Sequence, residues 1–211
     1  MKVLMLIMDK EQIKKFFELH AERKSRTIVI VDFGNVEKWK HGLGWNVGVR
    51  ELATLIKNFS MGKQFLRRFY YGADYGPDEK SSEITHWSKT ILDSARNNGF
   101  EVMAKRVKYI RDVREEMGYQ KKCDLDVEMA IDLVREKDAY DNIVVFSGDG
   151  DLMYAVRYLV DNFEKKAIVM SARGHVGREV LDAKKDGILQ DILFAEDFAY
   201  RLDMNRIRPG R

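Results

Sequence analysis

The sequence predicts an α/β protein in three layers: a mostly parallel central sheet of about five to six strands, flanked by helices. Two observations carry this reading. Apolar β-branched runs recur along the chain, among them Ile28-Val29-Ile30-Val31 and Ile143-Val144-Val145-Phe146. Segments with helical periodicity alternate with them, the mark of βαβ units. A third observation bears on the site, because two runs end abruptly in carboxylates, at Asp32 and in Ser147-Gly148-Asp149-Gly150-Asp151. In an open α/β sheet the strand C-termini open onto the crevice where ligands bind.

The elements follow in order. Residues 9–23 place Ile13, Phe16, Phe17 and His20 on one face of an amphipathic helix. Thr27 to Phe33 is the first strand. Asn46 is positioned to cap a helix over 47–59, with Leu52, Leu55, Ile56 and Phe59 facing the core. A strand over 64–71 is interrupted by Arg67 and Arg68, and Gly76-Pro77-Asp78 signals a turn. A helix over 81–97 stops at Asn98-Gly99. A strand over 100–107, a charged excursion over 108–122 and a helix over 125–137 come next. The remainder alternates: strand 142–147, helix 151–162, strand 166–171, helix 176–186, strand 190–194. Right-handed crossovers place the ends of the first strand and of strand 142–147 on the same sheet edge, so Asp32 and Asp149 can meet.

At 211 residues the chain suits one domain, or one domain with an appendage. The expected division is a helical extension over 1–26, a domain over 27–203 and a frayed basic tail over 204–211. Hydrophobic residues make up 45% and charged ones 34%, enough to bury a core in a soluble protein. No apolar stretch approaches a membrane span. The run Met1 to Met8 is short and lacks a small-residue cleavage site, so it reads as mature protein, and a cytoplasmic location is expected. Cys123 is the only cysteine, which excludes an internal disulfide and a thiolate zinc cluster. The four histidines form no i, i+4 pair, so oxygen-ligated Mg²⁺ or Mn²⁺ is favoured over zinc. A net charge of +3 is too balanced to identify a polyanion partner by itself.

Carboxylates delivered to one crevice by different strands repel one another unless a cation sits between them, so the arrangement reads as a hard-metal site suited to phosphoryl chemistry. Asp149 and Asp151 are separated only by Gly150 and can both turn inward. Asp126 starts a helix, where a carboxylate complements the dipole. Asn35, three residues past Asp32, is placed to bond a carboxylate, a water or a phosphate oxygen. The plainer role of an aspartate at a helix N-terminus is a cap. That role suits Asp124 and would suit Asp151 alone, whereas Asp32, directly after Ile-Val-Ile-Val, has no expected capping duty. Asp132 is a solvated helix face or an outer ligand.

Val31-Asp32-Phe33-Gly34-Asn35, Cys123-Asp124-Leu125-Asp126-Val127-Glu128-Met129-Ala130-Ile131-Asp132-Leu133 and Val144-Val145-Phe146-Ser147-Gly148-Asp149-Gly150-Asp151-Leu152 together resemble the NYN domain, the LabA-like branch of the PIN-like nucleases. The similarity spans about residues 27–198. It implies a PIN-like sandwich and metal-dependent cleavage of RNA or, in some members, other nucleic acid. It also implies acidic site positions at Asp32, Asp126, Asp149 and Asp151, with Asn35 as a polar companion. The family's usual glycine before the middle motif is replaced around Lys122-Cys123, which leaves Asp124 and Asp126 as alternatives for the position facing the metal. Residues 9–23 lie outside the pattern.

A nuclease also needs cations for phosphates and flat groups for bases. Lys38, Trp39, Lys40 and His41 form an expected mobile rim after the first carboxylate, although Trp39 could simply cover the core. Arg173, His175 and Arg178 are the favoured substrate contacts, since Gly174 and Gly177 let backbone approach a phosphate. Lys105, Arg106, Lys108 and Arg111 form a further basic cluster. The stretch Gly42-Leu43-Gly44-Trp45-Asn46-Val47-Gly48 misses a dinucleotide fingerprint by one residue. The haloacid-dehalogenase phosphatases resemble this pattern too, but Gly34 stands where their second aspartate belongs. The rival reading is a PIN-like module that binds RNA or a protein without cutting. RNA is the expected partner, no membrane is involved, and the apolar face of 9–23 could support a homodimer or pack onto its own domain.

Overall fold

The computed structural model describes residues 25–60, 65–76, 81–112, 114 and 119–203. The helix expected over 9–23, the tail from 204 onward, Pro77-Asp78 and the side chain of Phe59 lie outside these residues. Six parallel strands form the main sheet: β1 (Thr27–Asp32), β2 (Phe65–Ala73), β3 (Glu101–Arg106), β6 (Asn142–Phe146), β7 (Lys166–Ser171) and β8 (Leu189–Phe194). Two more, β4 (Lys108–Arg111) and β5 (Tyr119–Lys122), make a separate antiparallel ribbon. The sheet order is β3-β2-β1-β6-β7-β8.

Ile28, Val29, Ile30 and Val31 of β1 are all fully buried. Successive strand side chains point to opposite faces, so this one run feeds two cores. Val29 and Val31 join Val144 and Phe146 of β6 on one face. There they pack against α1 (Phe33–Lys38), α3 (Val49–Ser60), α4 (His86–Asn97) and α8 (Ala199–Leu202) through Val36, Leu52, Ile91 and Leu202. Ile28 and Ile30 join Ile143 and Val145 on the other face, under α5 (Asp126–Arg135), α6 (Met153–Phe163) and α7 (Arg178–Lys185), which contribute Met129, Leu133, Val156 and Val180. Each such side chain contributes about 1.5–3 kcal/mol by leaving water, so the two central strands anchor both layers. The expected three-layer α/β architecture is the observed one.

Several boundaries shift for local reasons. Asn46 does not cap the helix expected from 47, because Val47 forms a β-bridge with Asp203 and α3 begins only at Val49. The helix expected from 81 begins at His86, where Thr85 Oγ1 accepts the N–H of Ser88. Its stop at Asn98-Gly99 is as expected, with Gly99 at φ +82°, a conformation that costs a residue bearing a Cβ more than glycine. The arginines in β2 are accommodated because Arg68 forms ion pairs with Glu101 and Glu136. The charged excursion over 108–122 contains the β4–β5 ribbon, closed by an edge contact between Tyr109 and Tyr119 with ring centroids 4.9 Å apart. Tyr109 and Lys121 both bond Asp74 and so tie the ribbon to the end of β2. Among the described residues no helix is long and apolar enough to cross a membrane.

Candidate metal centre

Chain order reverses between β1 and β6, since β1 is followed by β2 on one side and β6 by β7 on the other. This is the topological switch point, where α/β sheets open their ligand crevice. Register pairs Val31 with Phe146, so Asp32 and Ser147 stand next to each other at the paired ends. Ser147 Oγ donates to Asp32 Oδ2 at 3.0 Å and accepts the N–H of Asp149 at 3.1 Å.

Asp32 Oδ1 accepts the N–H of Asn35 at 3.2 Å and caps α1. The expectation that Asp32 has no capping duty is thereby overturned. A helix starts directly after β1 because Phe33 and Val36 are both drawn into the first core, and its free N–H groups need an acceptor. Asn35 in turn accepts from the Trp39 indole N–H and from the N–H of Gly148, both at 2.9 Å. Its side-chain oxygen thus ties the first acidic loop to the second.

Three carboxylates converge in front of this frame. Asp126, in the first turn of α5, and Asp149 and Asp151, in the loop after β6, bring ligand oxygens within 4.8 Å of one another. Asp151 is not the cap of α6, whose N-cap is Leu152, so its carboxylate is free of that duty. Asp124 Oδ1 accepts the N–H of Asp126 at 3.2 Å, but the N-cap of α5 is Leu125, so the cap expected at Asp124 falls one residue later. Asp32 lies outside the trio, with both oxygens already engaged.

The charges are frustrated. Burial raises Asp126, the neighbouring Asp124 raises it further, and Asp149 and Asp32 add to the effect, pushing its pKa up to about 7. Asp124 is held below its ordinary value, chiefly by the hydrogen bonds with Asp126. Asp32 is also raised, chiefly by burial, against the opposing bonds from Asn35 and Ser147. An all-oxygen donor set on three converging carboxylates fits a hard divalent ion.

The loop bearing Asp149 and Asp151 is tightly seated. Gly177 donates its N–H to the Gly148 carbonyl at 2.7 Å, and a Cβ on Gly148 would lie only 1.7 Å from the His175 carbonyl oxygen. The loop around Gly174 and Gly177 approaches the acidic loop, and Arg173, His175 and Arg178 do not line the cleft in front of Asp32, Asp126 and Asp149. Arg173 is bonded to Asp197 at 2.8 Å and stacked over Phe194 at 4.1 Å. Arg178 is exposed beside Asp182. Trp39, expected on the rim as a substrate contact or as a cover for the core, is fully buried in the core and offers no face to a base. Lys38, Lys40 and His41 do line the cleft, whose volume is about 990 Å³, but on helical turns, Lys38 in α1 and the other two in α2 (Lys40–Leu43). Lys105 is paired with Glu128 at 2.7 Å, and Arg106 sits over the Tyr75 ring.

Sequence reasoning passed over Ser147, although its place between Phe146 and the two glycine-spaced aspartates was a usable signal. It also passed over Glu37 and Trp87, which line the same cleft and carry no motif.

An open parallel sheet with clustered carboxylates at its switch point defines an α/β protein with a candidate metal site. The profile described as NYN domain matches residues 26–189, and the chain belongs to that family, which is one of PIN-like nucleases that normally use divalent metals. It is 26% identical over 163 residues to the Low amplitude and bright protein LabA of Synechococcus elongatus, covering 77% of this chain and 82% of that protein. Its fold is similar to that of a crystal structure of a protein of unknown function from Vibrio parahaemolyticus. That similarity has a TM-score of 0.59 at 20% identity, over 82% of this chain and 94% of the other.

Proposed function

We propose that this protein is a Mg²⁺- or Mn²⁺-dependent nuclease that hydrolyses phosphodiester bonds, with RNA as substrate, in the cytoplasm. The observation that carries the reading is the convergence of Asp126, Asp149 and Asp151 at the switch point. These three would hold the metal. A bound divalent ion supplies Lewis-acid stabilisation of the charge that develops on phosphate and lowers the pKa of water. Asp32 acts from behind, keeping Ser147 and through it the N–H of Asp149 in place. Asn35 fixes the same loop from the Gly148 side.

A second reading, a module that binds RNA without cutting it, draws on one feature: both oxygens of Asp32 are occupied by hydrogen bonds. The two separate in one experiment. Wild type and Asp149→Asn are incubated with single-stranded RNA, structured RNA and DNA, with Mn²⁺ and with chelator. The nuclease reading expects cleavage by wild type with Mn²⁺ alone. Cleavage that survives chelator or the substitution sinks the metal mechanism, and tight binding without cleavage favours the module.

A further inference from the structure

Trp87 is 64% exposed, an unusual position for the largest apolar side chain. It stands in the first turn of α4 and lines the same cleft as Asp32, Asp126 and Asp149. The ring is not loose there. Its indole N–H donates to Glu37 Oε1 at 3.3 Å, and Glu37, on α1, is partly buried and also bonded by the Tyr71 hydroxyl. The edge of the indole is thus tethered while much of the side chain stays open to solvent. Lys38 and Lys40 line the same cleft and offer cations for phosphates.

Resting on the nucleic-acid substrate proposed above, we infer that Trp87 is the base-stacking platform of this cleft, selecting single-stranded nucleic acid, and that Glu37 positions it. The strandedness follows from the chemistry of stacking. A tethered aromatic face needs a free base face, which an unpaired strand offers and a duplex hides between neighbouring pairs. A structural role for Trp87 would bury its ring, as Trp39 is buried. The cleft has a volume of about 990 Å³, enough to admit a base and its sugar-phosphate.

The test uses the full chain in chelator, so that nothing is cut, with fluorescein-labelled ten-nucleotide RNA offered as single strand and as duplex. Anisotropy reads affinity, and tryptophan fluorescence, referenced to Trp87→Phe, reads the ring itself. Wild type is expected to prefer the single strand and to show quenching of Trp87. Trp87→Ala is expected to weaken single-strand binding about tenfold or more, since stacking on one aromatic is worth that much. Trp87→Phe should recover most of the loss, and unchanged melting curves exclude misfolding. Glu37→Ala should reduce the quenching, with Glu37→Gln restoring it. Equal affinity of wild type and Trp87→Ala, a preference for duplex, or no binding by wild type overturns the inference. Absence of cleavage with Mn²⁺ while Trp87-dependent binding persists overturns only the nuclease reading.

Discussion

On the proposed metal site, proton and metal would compete for Asp126, and this competition would set the pH dependence of metal binding. With its pKa near 7, Asp126 is about 3% ionised at pH 5.5 and about 90% at pH 8, so apparent metal affinity should rise about 30-fold across that interval. At a Mn²⁺ concentration above its dissociation constant, a 30-fold change is worth about 2 kcal/mol of stability. For a domain of this size that corresponds to about 4–8 °C in melting temperature. The metal-free protein should trend the other way. The folded-state pKa of Asp126 is raised, so the stability it contributes is present below the ordinary carboxylate range and is lost as pH climbs towards 7. The assay is thermal unfolding from pH 5.5 to 8, with Mn²⁺ and with chelator. The gap between the two curves should open with pH. Asp126→Asn should remove both the gap and its slope. At pH 8 it should also stabilise the metal-free protein by about 1 kcal/mol, the gain that solvent screening leaves to a half-exposed carboxyl, less a few tenths lost from the helix dipole. A gap independent of pH, or widest at pH 5.5, would refute the reasoning.

Ser147→Ala removes the hydroxyl that donates to Asp32, a carboxylate whose desolvation leaves it few alternatives. It should destabilise the protein by about 1–3 kcal/mol in urea unfolding, and a loss under about 0.5 kcal/mol would mean the bond is not made. Arg173→Ala breaks the pairing with Asp197 and the stacking on Phe194. It should cost about 1 kcal/mol of stability while leaving RNA affinity within about twofold. A tenfold loss of affinity would return Arg173 to the substrate path.

What could be read without a structure was whatever is encoded by local periodicity. The β-branched runs at Ile28–Val31 and Ile143–Phe146 mark central strands because side chains alternate between two buried faces, and both faces here are apolar. The carboxylates after those runs were legible for the same reason, since strand ends face the crevice in any parallel sheet. Less legible was the excursion over 108–122, because its ribbon is held by long-range bonds to Asp74 rather than by its own pattern.

The sequence by itself determined the α/β class, the family and the acidic positions, all of which rest on contacts or motifs close in the chain. Tertiary structure alone decided how the acids divide. Asp32 became a cap and a partner of Ser147 because a helix follows β1 at once, and Asp126, Asp149 and Asp151 became the converging trio. It also withdrew Arg173 and Trp39 from the cleft and brought Trp87 into it. The physical reason is that a side chain's task depends on which neighbours satisfy it. Those neighbours come from segments that only the folded sheet brings together.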